Sequence, residues 1–254
     1  MLSRLPLKST PNKVLNTAIA LFAAIFLQFY SNVSKASGVF VSLDDKYVSE
    51  GRDNLGQGGA LWLGGTLWSG WLPTQNNKSD VTPALSIDAL YGIATDSDVD
   101  YDELNLTFQV NWQLKKFNLY SYYNRLEYFK LGDKDNEFAV GLDKTFHNGV
   151  NANTELVYNT ATDGRFWVIN ANKVVFKTQK HAITPHLQIG FDDGYASADH
   201  KGYNHSALGF TYTYKLTPTW SASLFAEYNF VGRQIESEGR DDIAWINLKV
   251  SGHL

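Results

Sequence analysis

Two patterns in this chain have the residue types for covalent or metal chemistry, and neither has the spacing. His205 and Ser206 are adjacent. A hydrolytic His–Ser pair on one strand must sit two residues apart to share a face, and position 207 is alanine. Asp96, Asp98 and Asp100 alternate like the start of a calcium loop. The sixth position is Tyr101 where that loop needs glycine, and the twelfth is Thr107 where it needs glutamate. These carboxylates read as a solvated acidic loop. Neither Gly-x-Ser-x-Gly nor His-Glu-x-x-His occurs. The chain has no cysteine, which removes disulfides and thiolate metal sites. The sequence therefore assigns no catalytic residue, no metal ligand and no cofactor.

The remaining polar chemistry lies at alternate positions. Asn105, Thr107, Gln109, Asn111 and Gln113 interleave with Leu104, Leu106, Phe108, Val110, Trp112 and Leu114. A period of two makes this a strand with one polar and one apolar face. The apolar face is long enough to cross a bilayer, which takes roughly 9–11 residues. If it meets lipid, the polar face lines a wet interior. Extended by parity to the other strands, that interior face holds Asp88, Glu103, Asn105, Gln109, Arg125, Glu127, Glu137, Asp143, Glu155, His186, Glu227 and Lys249, with Lys215 near one end. Acid exceeds base in this set, so a bore lined by it would prefer cations. Tyr123, Arg125 and Glu127 fall two apart, and the expectation is that they project inward as a constriction or a wall ladder, with Arg125 and Glu127 paired to Glu103, to Glu137 or to each other. His186 reads as a hydrogen-bonded wall residue.

The elements that must position these side chains are about twelve strands, expected near 38–51, 58–71, 83–95, 101–114, 117–130, 136–147, 151–161, 165–177, 181–192, 203–216, 219–231 and 242–254. Tight connections such as Lys115-Lys116, Asn148-Gly149-Val150 and Thr217-Pro218 fall at one end, and longer acidic loops at the other. That asymmetry is expected of periplasmic turns and outer loops. The long polar connection 73–82 departs from it. A soluble β-protein would bury the apolar stripes instead. Their uniformly bulky residues, and aromatics gathered at their ends (Trp112, Phe146, Tyr214 and Trp220; Tyr91, Tyr128, Tyr158, Tyr228 and Phe230), suit two bilayer interfaces better than a filled core.

Arg4, Lys8 and Lys13 precede an apolar run from Ala18 to Phe29, followed by Ser34-Lys35-Ala36. This is the order of a cleavable signal peptide, 1–36, with the barrel as residues 37–254. Cleavage removes basic residues only, leaving the rest more acidic than the −4 of the whole chain. A nucleic-acid partner is excluded, since it would need clustered Lys and Arg. Aromatics at 14% and a mean hydropathy of −0.27 fit strands that are half polar.

Lys46-Tyr47-Val48-Ser49-Glu50-Gly51-Arg52, with Gly58-Gly59-Ala60-Leu61-Trp62 after it, resembles the first hairpin of the TorF-type porins. In that family the Gly/Arg pair usually stands in the reverse order. The resemblance implies an outer-membrane porin-like barrel and carries over no catalytic residue. The expected protein is an all-β, transmembrane antiparallel up-and-down β-barrel, a monomer exported to the outer membrane of a Gram-negative bacterium. Its partners would be outer-membrane lipid and lipopolysaccharide, the barrel-assembly machinery, and small polar solutes or ions passing through it. Twelve strands lie between filled eight-stranded barrels and open sixteen-stranded porins. The loops look too short for a large plug, which favours a passive channel over a non-conducting structural or adhesion-type barrel. A lipid-modifying enzyme is the third reading.

Overall fold

The computed structural model describes residues 37–69 and 81–253. The expected signal peptide, residues 70–80 of the long connection, and Leu254 lie outside the described residues. Along the chain run β1 (Gly38–Asp44), β2 (Val48–Ser49), β3 (Arg52–Asp53), β4 (Gly59–Trp68), β5 (Thr82–Thr95), β6 (Asp102–Gln113), β7 (Asn118–Tyr128), β8 (Asp133–Thr145), β9 (Val150–Asn159), β10 (Gly164–Lys173), β11 (Phe176–Lys177), β12 (His181–Asp193), β13 (Lys201–Lys215), β14 (Trp220–Val231), the short helix α1 (Arg233–Ser237) and β15 (Ile243–His253). Long strands pair with their sequence neighbours, always antiparallel, and β1 pairs with both β4 and β15. The ring is a closed 12-stranded barrel. Closure matters because an open edge would leave unpaired N–H and C=O groups in hydrocarbon. Among the described residues, β2 and β3 pair apart from the barrel sheet, as a small hairpin inside the first connection.

The faces follow the alternation. Phe108 is 51% exposed, Leu208 57% and Leu248 54%, while Ser86, Glu103, Asn229 and Ala207 on the other parity are buried. Exposed bulky apolar residues recur on nearly every strand, a belt far larger than a water-facing monomer tolerates. The apolar face therefore points out. Connections at one end are short, as at 146–149, where Gly149 takes a positive φ and its N–H bonds Phe146.

Three expectations are corrected. First, β1 ends at Asp44 and does not run to 51. Outward apolar residues stop at Leu43, and the chain leaves the wall through Asp44, Asp45 and Lys46. Second, register reverses the faces of β7. Leu104 opposes Glu127, Leu106 opposes Arg125 and Phe108 opposes Tyr123. Directly opposed residues share a face, so Tyr123, Arg125 and Glu127 point outward, and Leu126 and Tyr128 inward. Strand β7 carries tyrosine, leucine and polar residues on both sides, so its own pattern has no parity to read. Arg125 is served by Glu127 at 2.6 Å and Asn136 at 2.8 Å, close to the loop end of the wall. Third, a loop does enter the bore.

Candidate functional site, an acidic lumen beneath an inward hairpin

The first connection, residues 45–58, folds across the loop end of the barrel instead of rising from it. Its turn is Ser49-Glu50-Gly51-Arg52, with φ of 47° at Glu50 and 73° at Gly51. Two successive left-handed residues give the tight turn whose twist suits a hairpin. A side chain at Gly51 would stand 2.7–2.9 Å from the His205 ring on β13, so the tip reaches the opposite wall and has room only for glycine. Arg52 holds it there. Its guanidinium lies 3.2 Å from Glu238 and 3.9 Å from Asp192, and donates to Asn204 and to the Glu50 carbonyl. Leu55, also in this connection, is buried. Arg52 holds Glu238, near α1, below the usual carboxylate range.

The receiving wall is built by a β-bulge. Gly190 opposes His205 but Phe191 opposes Tyr203, leaving Asn204 as the extra residue. The bulge lets Asn204 and His205 both be buried, the latter stacked on Phe166. Ser206 lies on the other face, bonded to Tyr203, so His205 and Ser206 do not meet.

Below the hairpin the wall presents carboxylates held mostly by Tyr, Asn, Thr and Trp donors. Glu103 accepts from Tyr47 at 2.8 Å, from Asn105 and from Tyr101. Glu137 accepts from Asn124 at 3.1 Å and from Tyr195, which enters from the connection after β12. Glu155 receives Tyr120 at 2.7 Å and Tyr122 at 2.9 Å. Glu227 is bonded by His186, Asn229 and Trp245, Asp44 by Trp62 and Asn247, Asp88 by Thr66, and Asp143 by Asn118 and Asn151. Such donors orient a carboxylate and lower its desolvation cost without cancelling its charge. Cations on this face are few: Arg52 is committed to the hairpin clamp, Lys249 sits 3.9 Å over the Phe40 ring, and Lys215 lies at the turn end.

Of the residues expected to line the interior, register puts Asp88, Glu103, Asn105, Gln109, Glu137, Asp143, Glu155, His186, Glu227 and Lys249 on the inner face. Arg125 and Glu127 are on the outer one. Sequence reasoning missed Asp44, Glu50, Arg52 and Asp192. Glu50-Gly51 is the local signal, since a polar residue followed by glycine marks a turn inside the expected 38–51 strand. Asp96 and Asp98 stay in an exposed loop, and Asp100 pairs with Lys130. Among the described residues, no group of three or more His, Cys, Asp or Glu is placed to hold a metal.

No protein-family model matches the chain, and no curated protein matches it by sequence. Solved structures do match by shape. A KdgM porin covers 86% of this chain and 99% of its own at a TM-score of 0.53 and 8% identity. A KdgM porin in complex with disordered oligogalacturonate covers the same 86% and 99% at a TM-score of 0.50 and 7% identity. At such identities the likeness is one of architecture. The chain has the fold of a porin-type outer-membrane barrel.

Proposed function

We propose that this barrel sits in the outer membrane as a narrow passive channel for small polar solutes and ions, and that it prefers cations. The observation that supports this best is the chemistry of the inner wall: its carboxylates are hydrogen-bonded by Tyr, Asn, Thr and Trp, with few cations opposing them. A low-dielectric tube with a net negative lining concentrates cations and repels anions. Oligogalacturonate, the ligand of a structural neighbour, is a polyanion and would be repelled by this lining. The Arg52-clamped hairpin supplies the constriction, in place of Arg125 and Glu127, which face outward. Kinship with the TorF-type porins is the finer reading and rests on residues 46–52 and 58–62. Outer-membrane lipid and lipopolysaccharide as neighbours, and insertion by the barrel-assembly machinery, belong to the same proposal.

Purified protein in a planar bilayer tests it. Discrete single-channel steps in KCl are expected. A second reading, a structural barrel sealed by its own hairpin, is favoured by the reach of that hairpin to His205 and Asp192. Silent membranes containing correctly folded protein would select it.

A further inference from the structure

Between the hairpin and the β4–β8 wall lies a cavity of about 680 Å³. That is within the ~300–1,000 Å³ range of small-molecule sites. Glu50, Glu103 and Glu137 line it, together with the rings of Tyr47, Tyr101 and Tyr128, and no Lys, Arg or His does so among the described residues. The rings stand in sequence, Tyr47 to Tyr101 at 5.6 Å and Tyr101 to Tyr128 at 5.9 Å. The hydroxyls of Tyr47 and Tyr101 are spent on Glu103, which fixes the position of both rings.

From this enclosure we infer that the cavity binds an organic cation, a quaternary or primary ammonium of small-molecule size, as the preferred solute of the channel proposed above. Three features support that chemistry. Buried carboxylates without a cationic partner are costly, and an entering positive charge offsets the cost. Aromatic faces within about 6 Å of a cation attract it, and quaternary ammonium groups are the ligands that such cages take. A bare metal ion would leave most of the volume empty. Burial also pushes the Glu50 carboxyl up to about 7, with Glu137 and Glu103 adding to the rise and outweighing Arg52, which opposes it.

Because the inference rests on the channel reading, the test keeps the two apart. The full-length protein in detergent micelles is titrated with choline chloride, with KCl and glucose as comparisons, by calorimetry. Potassium currents are recorded separately in planar bilayers. Choline is expected to bind at least about tenfold more tightly than K⁺, and glucose not at all. Replacing Glu103 and Glu137 together by Gln should weaken choline binding about tenfold or more, as should Tyr128→Leu, while Tyr128→Phe, which keeps the ring, should bind like the parent. Choline bound no better than K⁺ by the unaltered protein overturns the inference, whether or not the variants fold. So does tight binding that survives both Tyr128→Leu and the double Gln variant. Potassium current without choline preference overturns this site alone. Choline binding without any current overturns the channel reading and leaves the site standing.

Discussion

Arg52 and Glu50 stand together in the hairpin turn and act in opposite senses: one ties the hairpin down, the other loosens it. The Arg52 guanidinium is nearly inaccessible and faces Asp192, whose side chain is fully buried. Removing one partner of such a pair leaves a lone buried charge, a loss of roughly 3–5 kcal/mol in soluble proteins. Arg52→Ala should therefore undock the hairpin before it unfolds the barrel. The check is cleavage after Glu50 by a glutamate-specific protease, rapid in Arg52→Ala and slow in the parent, with larger unitary conductance in the variant. Glu50 acts in the opposite sense. Burial raises its pKa from 4.5 to about 7; the Ser49 hydroxyl and Arg52 oppose the rise, and Glu137 and Glu103 add to it. Tyr47 and Tyr195 also face it, with pKa values raised far above any working pH. An acid whose pKa rises on docking holds its proton more tightly when docked, so docking is firmest below pH 4.5, weakens up to about pH 7 and is level above. More frequent current fluctuations at pH 8 than at pH 5 are expected, and Glu50→Gln should remove the difference. A pH response unchanged in Glu50→Gln would show that another group sets it.

Strands were the most legible level, and where they were misread the reason is physical. In β6 every inward residue is polar and every lipid-facing one apolar from Glu103 to Gln113, so its limits and faces could be read directly. Strand β7 places Tyr120 and Tyr122 on one face and Tyr123 on the other, with Leu126 buried inside. Only its hydrogen-bonded register against β6 assigns Arg125 and Glu127 outward. The inward fold of residues 45–58 depends on contacts with Glu103, Asn204 and Glu238, all far away in sequence, so no local pattern could reveal it. Two outcomes follow at this level. Arg or Lys at Phe108, Val140 or Phe210, exposed by 51%, 47% and 41%, should impair insertion. The penalty at the bilayer midplane is roughly 2–4 kcal/mol. The same charge at Gln109 or Thr211 should be tolerated, and urea-folding titrations into lipid vesicles would separate the two sets. Arg125→Ala removes a partly exposed pair on the outer wall, worth up to about 1 kcal/mol. Its conductance should equal that of the parent.

For the whole molecule, the joined features are a closed ring, an apolar exterior and an acidic interior narrowed from within. Barrel width follows strand number, and at twelve strands a hairpin of this length spans the mouth. The carboxylates of the inner wall come from strands all around the ring, β1, β5, β6, β8, β9, β12 and β14, so their field belongs to the tube and not to one patch. That distributed charge is the central claim, and the reversal potential across a bilayer bathed in a KCl gradient tests it most directly. The lumen described here predicts a reversal potential displaced toward the K⁺ equilibrium value, with the displacement shrinking as salt rises and screening shortens. A reversal potential displaced toward the Cl⁻ value in a correctly folded barrel would contradict it.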